Sequence, residues 1–211
     1  MKIAVIDYGS GNLRSVCKAI EKVADPKDTV TITSEAAVIN AADRVVFPGQ
    51  GAMPDCMGNL HRFGLEEAVR RSIAEKPFFA VCVGEQMLLE HSEEGDADAL
   101  GIFKGQVVRF PADMRDADGV RLKVPQMGWN RVSQVQPHPL WEGIPDGSWF
   151  YFVHSYYAQP EDASIVFGMT EYGLKVPVTL ARDNIFAAQF HPEKSASMGL
   201  ALYRNFLNWK I

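Results

Sequence analysis

The sequence predicts an α/β fold: a mostly parallel central sheet covered by helices on both faces, with antiparallel strands added. Two observations carry that expectation. Through the first half, apolar runs bounded by turn residues alternate with helical periodicity, which yields parallel strands joined by crossing helices. From Gln106 to about Ile185 the runs are shorter and punctuated by Pro111, Gly119, Pro125, Gly128, Gly143, Pro145, Gly147 and Pro160, as in antiparallel hairpins. At 211 residues the chain suits one domain, 1–211, large enough to bury a core without disulfides.

In order, residues 2–7 read as a buried strand, 12–24 as a helix, 29–33 and 44–47 as strands, and about 64–75 as a helix. A strand at 77–81 leads into a helix at 84–92, whose apolar side carries Met87, Leu88 and Leu89. After the hairpin region comes a strand at 185–190. A closing helix at about 196–209 has Leu200, Tyr203, Phe206 and Leu207 on its apolar face. Repeats, low-complexity tracts and linkers are lacking. Asp113 to Asp118 reads as a polar surface loop.

The formal charge is -5, with Lys and Arg spread along the chain, so no footprint for nucleic acid or an anionic membrane surface emerges. A small molecule or a protein is the expected partner. Three cysteines, Cys17, Cys56 and Cys82, are an odd count without metal-ligand spacing, which fits a reducing compartment and no metal. The opening run Met1 to Ile6 meets Asp7 too soon for a secretory core, and no stretch reaches membrane-spanning length. The cytoplasm is the expected location.

Cys82 ends the run Phe78-Phe79-Ala80-Val81 and precedes Val83-Gly84-Glu85-Gln86, the pattern of a strand-to-helix elbow that exposes a nucleophile. A helix N-terminus there favours the thiolate. Much later, Gln189-Phe190-His191-Pro192-Glu193-Lys194 places a histidine before a proline, which biases its backbone toward extension. Residues two apart on an extended segment share a side, so Glu193 can orient His191 and His191 can take the Cys82 proton. A lone buried cysteine is ordinarily a small core residue, and a lone histidine is ordinarily structural. Here the two occur in a joint context. Cys82, the turn Pro48-Gly49-Gln50-Gly51 and His191 each follow a predicted strand, so all three collect at the carboxyl edge of the sheet, where ligands bind in open α/β folds.

Thiolate attack on a carboxamide develops an oxyanion, which needs donors already aimed at it. The amide of Val83 is one candidate and the Gly49 to Gly51 turn can present another, although such a turn ordinarily does no more than join a strand to a helix. Gln86, four residues after Cys82, shares its helical face.

This arrangement resembles the class I, triad-type glutamine amidotransferases, with their flavodoxin-like fold. The runs Ile6-Asp7-Tyr8-Gly9-Ser10-Gly11-Asn12-Leu13-Arg14-Ser15-Val16, Val124-Pro125-Gln126-Met127-Gly128-Trp129-Asn130 and Tyr151-Phe152-Val153-His154-Ser155-Tyr156 look like the branch of glutaminase subunits that serve imidazole glycerol phosphate synthases. The resemblance implies catalytic Cys82, His191 and Glu193, with Gly49 as an oxyanion donor. It implies glutamine binding by Gln86, Glu94, Ser155 and Tyr156. Docking or gating would fall to Asn12, Tyr151, His154 and Lys194. It further implies a heterodimer with a (β/α)8-barrel cyclase subunit of histidine biosynthesis and needs no cofactor. The isolated subunit would be nearly silent, with the Gly49 turn realigned by the liganded partner.

Three positions depart from the family pattern. Ala80 stands where glycine is usual, Glu85 where an apolar residue is common, and Gln126 where histidine is frequent. Three other readings compete: a glutaminase serving pyridoxal phosphate, aminodeoxychorismate or guanylate synthesis; a cysteine hydrolase acting on peptides or small amides; and a non-catalytic regulatory subunit. The Asp7-Tyr8-Gly9 and Val153-His154-Ser155-Tyr156 runs speak against the first, and intact Cys82, His191 and Glu193 against the last.

Overall fold

A computed structural model describes residues 1–9 and 11–211; Ser10, within the N-terminal run, lies outside them. The first half consists of β1 (Lys2–Ile6), α1 (Leu13–Glu21), β2 (Thr29–Thr33), α2 (Ala36–Asn40), β3 (Arg44–Gly49), α3 (Met53–Arg62), α4 (Glu66–Glu75), β4 (Phe78–Cys82) and α5 (Val83–Gln86). The second half adds β5 (His91–Ser92), β6 (Ala97–Asp98), β7 (Gly105–Arg109), β8 (Gln126–Gln134), β9 (Ser148–His154), β10 (Tyr156–Pro160), β11 (Val166–Glu171), β12 (Lys175–Arg182), β13 (Ile185–Ala188) and α6 (Ala196–Asn208).

Among the described residues a nine-stranded sheet runs in the order β2-β1-β3-β4-β13-β12-β11-β8-β9, and a smaller sheet runs β10-β7-β5-β6. From β2 to β13 the neighbours are parallel; from β13 to β9 they are antiparallel. The expected combination of parallel and added antiparallel strands is therefore present in a single sheet. Every residue of β3, β4 and β13 is buried, as befits central parallel strands covered on both faces. Phe78 and Phe79, adjacent on β4, point to opposite faces. Phe79 packs on Phe186, Tyr203 and Phe206 under α6, while Phe78 continues a stack through Phe47 to Tyr8.

Several elements differ from the sequence reading. The helix expected over 84–92 stops at Gln86. Met87, Leu88 and Leu89 are wholly buried, and their carbonyls accept hydrogen bonds from Leu100, Gly101, Ile102 and Phe103, so a loop takes the place of further helical turns. β3 runs on through Pro48 and Gly49, which makes Gly49 a strand residue paired with Cys82 rather than part of a turn. Two helices, α2 and α3, were not expected. The first is a short stretch of five residues, and α3 contains Pro54 and Gly58, which mask its periodicity; Pro54 sits in the first turn, where proline is tolerated. No helix of the described residues is long and apolar enough to cross a membrane.

Candidate active site

The elbow after β4 is held by two close backbone approaches. A side-chain carbon at Gly84 would lie 2.2 Å from the Phe47 carbonyl oxygen, and one at Gly49 would lie 2.6 Å from the Gly84 nitrogen. Neither site tolerates a methyl group without moving backbone. Tyr8 closes the floor, its hydroxyl donating to the Pro48 carbonyl at 2.8 Å. Between these constraints Cys82 adopts φ 58° and ψ −118°, a conformation that costs a non-glycine residue about 1–3 kcal/mol and persists only when the surroundings impose it. The strain falls on the cysteine itself. Ala80 lies one turn of the pleat earlier, in ordinary parallel register with Phe47 and Ala187, so its methyl group does not disturb the elbow.

His191 follows β13 and donates its backbone N–H to the Tyr151 carbonyl. Its backbone is extended, but Pro192–Lys194 then form a 3-10 turn. The turn, not simple alternation, brings Glu193 Oε1 to 2.9 Å from His191 Nδ1. Ser195 locks this turn: its hydroxyl donates to the His191 carbonyl at 2.6 Å and accepts the Tyr151 N–H at 3.0 Å. Burial opposes charge on the His191 ring, but the Cys82 sulfur and the Glu193 carboxylate outweigh it and carry its pKa up to about 10. Charge on the His191 ring is thus favoured beside the Cys82 sulfur, an arrangement suited to a cysteine nucleophile.

These groups border a cavity of about 360 Å³. Cys82, Val83, Gln86 and His191 form one side, and Val153, His154, Ser155 and Tyr156 the other. Gln86 is almost wholly buried, and its Nε2 donates both to the Tyr156 carbonyl at 3.0 Å and to Gln189 Oε1 at 2.7 Å. Glu94 also lines the cavity, and is no solvated helix end: it lies on the turn between β5 and β6, where its Oε2 accepts the Met53 N–H at 2.9 Å. Gly49 lies behind the cavity, across from Cys82. The positive φ of 110° belongs to Gly51, where a side-chain carbon would meet none of the described residues within 4 Å.

His154 is buried in the cavity wall, with Nδ1 2.9 Å from the Tyr156 carbonyl and Nε2 2.8 Å from the Gln126 carboxamide. Burial pulls its pKa down to about 4. The Tyr156 carbonyl can only accept, so the ring donates to it through Nδ1, while Nε2 faces Gln126 Oε1. Lys194 also borders the cavity, with its ammonium 5.7 Å from the centre of the Tyr151 ring. Asn12 is elsewhere, exposed at the start of α1 without a side-chain cap bond. Beside the cavity, the outer face of the β8-β9 hairpin places Met127 across from Val153, Trp129 from Tyr151 and Arg131 from Trp149. Met127, Trp129 and Trp149 are about half or more exposed, which makes an apolar, aromatic patch rimmed by Lys194 and Arg131.

Glu85 points inward. Its side chain is wholly buried, neither carboxyl oxygen has a hydrogen-bond partner among the described residues, and burial together with the nearby Cys82 holds its pKa well above the usual carboxylate range. Burial thus favours the neutral carboxyl beside the sulfur. Sequence reasoning quoted Gln189 without assigning it and passed over Ser195. The signal for Gln189 was a polar residue inside the otherwise apolar run Ile185 to Phe190, fully buried in the structure.

Residues 4–209 match the family described as glutamine amidotransferase class-I. The imidazole glycerol phosphate synthase subunit HisH of Aromatoleum aromaticum is 60% identical over 208 residues, covering 98% of this chain and 98% of that protein. The subunit of the same name from Dechloromonas aromatica is 59% identical, covering 99% and 96%. Among solved structures, a glutamine amidotransferase superposes with a TM-score of 0.71 at 18% identity, covering 98% of this chain and 97% of that one. PurLQS from Thermotoga maritima gives 0.67 at 15%, with the same coverage. At such identities the structural matches bear on the fold alone.

Proposed function

The chain belongs to the class-I glutamine amidotransferase family, and from that premise we propose that it is the glutaminase subunit of an imidazole glycerol phosphate synthase. The observation that carries the reading is the His191 ring held between the Cys82 sulfur and Glu193, at the wall of a cavity large enough for an amino acid. In this reading Cys82 attacks the side-chain carbonyl carbon of glutamine as the thiolate, and the oxyanion forms against backbone amides at Val83 and the Gly49 strand. Collapse of the tetrahedral intermediate expels the amide nitrogen, which takes the His191 proton and leaves as ammonia. Water, deprotonated by His191, then opens the glutamyl thioester and releases glutamate. Glu193 keeps the ring oriented throughout.

Selection of glutamine over glutamate follows from Gln86. Both N–H bonds of its carboxamide are committed, to the Tyr156 carbonyl and to Gln189, so toward a ligand it offers only a carbonyl oxygen. An acceptor suits an amide or ammonium N–H and repels a carboxylate. Glu94 supplies a negative charge for the substrate amino group, and the Ser155-Tyr156 backbone completes the wall. The ammonia passes to a cyclase subunit with a (β/α)8 barrel, docked on the aromatic face of the β8-β9 hairpin. That face adjoins the cavity, so its cover would also close the ammonia path. Rotation of the Gln50–Gly51 peptide, which would release the Gln50 carbonyl from the Cys56 thiol 3.5 Å away, is the conformational change by which a liganded partner would complete the oxyanion site.

Glutamate release from glutamine, measured for the chain alone and with the cyclase subunit and its ribonucleotide substrate, tests the reading. Stimulation that needs both additions and vanishes in Cys82→Ala supports it. Equal activity of the chain alone points to a free-standing amide hydrolase, and retained activity in Cys82→Ala removes the assignment.

A further inference from the structure

Gln189 is fully buried at the end of the strand that leads to His191, and does not reach the cavity. Its Nε2 lies 3.8 Å from Cys82 Sγ, and its Oε1 accepts from Gln86. The orientation of a carboxamide is ordinarily ambiguous, but here it is fixed from outside. The Tyr156 carbonyl can only accept, so Gln86 must turn its amino group toward it. The same amino group faces Gln189, which must therefore present its oxygen to Gln86 and its amino group to the sulfur. A donor consequently faces Cys82 in addition to His191.

We infer that Gln189 is a positioning residue for the nucleophile: its buried N–H, polarised through Gln86 by the Tyr156 carbonyl, orients the Cys82 sulfur and stabilises its thiolate. A hydrogen bond donated to a charged acceptor favours the charged form, and burial strengthens it. The wall of the glutamine site and the reactivity of the sulfur then share one chain of hydrogen bonds, in which a ligand that pulls on Gln86 also adjusts the donor on Cys82. The inference rests on Cys82 being the nucleophile of the proposed reaction, but not on which synthase the subunit serves.

The test is site-resolved alkylation of Cys82 by iodoacetamide as a function of pH, followed by peptide mass spectrometry, in a Cys17→Ser background. Gln189→Leu removes the donor; Gln189→Met is the alternative if the leucine variant does not fold; Gln189→Glu keeps the shape but reverses the polarity. The expected result is a midpoint of Cys82 alkylation raised by about one pH unit in the leucine or methionine variant, and by more in the glutamate variant. Midpoints unchanged in variants that retain the circular dichroism and melting behaviour of the parent would overturn the inference, as would a lowered melting temperature with no movement of the midpoint. Glutamine hydrolysis is assayed on the same proteins with the cyclase subunit and its ribonucleotide substrate present. A shifted midpoint beside a parent chain that fails to hydrolyse glutamine even then leaves the role of Gln189 standing and removes the functional reading instead.

Discussion

At the scale of single residues, Glu85 and Glu193 show how the same carboxyl group serves opposite ends. Glu193 is buried but shares its charge with His191 through Oε1, and its other oxygen has no hydrogen-bond partner. Replacing it by glutamine removes an orienting charge and leaves attacker and base in place, so Glu193→Gln should retain at least about a hundredfold more glutamine hydrolysis than Cys82→Ala. Initial rates with the partner present decide this, and equal inactivity would assign Glu193 a larger part. Glu85 has no hydrogen-bond partner among the described residues. Because its pKa is raised in the folded chain, the folded state holds a proton that the unfolded state releases above about pH 4.3. Stability is therefore fully present below that pH and is lost as pH rises toward the folded-state value. Glu85→Met should raise the melting temperature by roughly 4–8 °C at pH 8, about 2 kcal/mol, and by less at pH 5. An equal gain at both values would mean that the carboxyl does not keep its proton. Cys82, His191 and Glu193 could be singled out as a candidate triad because each stands in a run whose local chemistry suggests a role. Gln189 was not, because its meaning depends on Gln86 and Tyr156, which approach it only in the fold.

At the scale of elements, the elbow depends on two strands and a helix meeting without side chains between them. Gly84→Ala would drive a carbon to within 2.2 Å of the Phe47 carbonyl, so it should lower stability by about 3 kcal/mol and displace the cysteine. Gly51→Ala meets no neighbour, but φ 110° disfavours alanine by about 1–2 kcal/mol, a smaller loss. Thermal melts rank the two variants; if the Gly84 variant melts with the parent, the close approach is not a constraint. The same geometry explains why the helix predicted after Cys82 was too long. Apolar Met87, Leu88 and Leu89 suit a helix by composition, yet the loop at 99–103 claims their carbonyls, a tertiary contact that no local pattern encodes. By contrast the central strands were readable, because β1, β3 and β4 contain the apolar runs Ile3 to Ile6, Val45 to Phe47 and Phe78 to Val81. The helix α3 carried a readable stripe, Met53, Cys56, Met57 and Leu60, behind the distraction of Pro54 and Gly58.

At the scale of the whole molecule, the antiparallel half of the sheet ends in an aromatic face beside the cavity. Trp129→Asp should weaken binding to the cyclase subunit by at least about thirtyfold, the loss of one buried aromatic anchor, and leave the alkylation rate of Cys82 in the free chain unchanged. Calorimetric titration of the two subunits checks the first part, and an unaltered affinity would move the docking face elsewhere. The parallel half has a further consequence, which concerns the order in which the chain is made. β4 and β13 are adjacent in space, yet Gln189 follows Cys82 by 107 residues. A ribosome releases Cys82 long before Gln189, His191 and Glu193. Until they emerge, the cysteine ends an apolar strand without the polar groups that surround it in the fold. Those groups come to its sulfur only with β13 beside β4, so a partly made chain cannot hold the site.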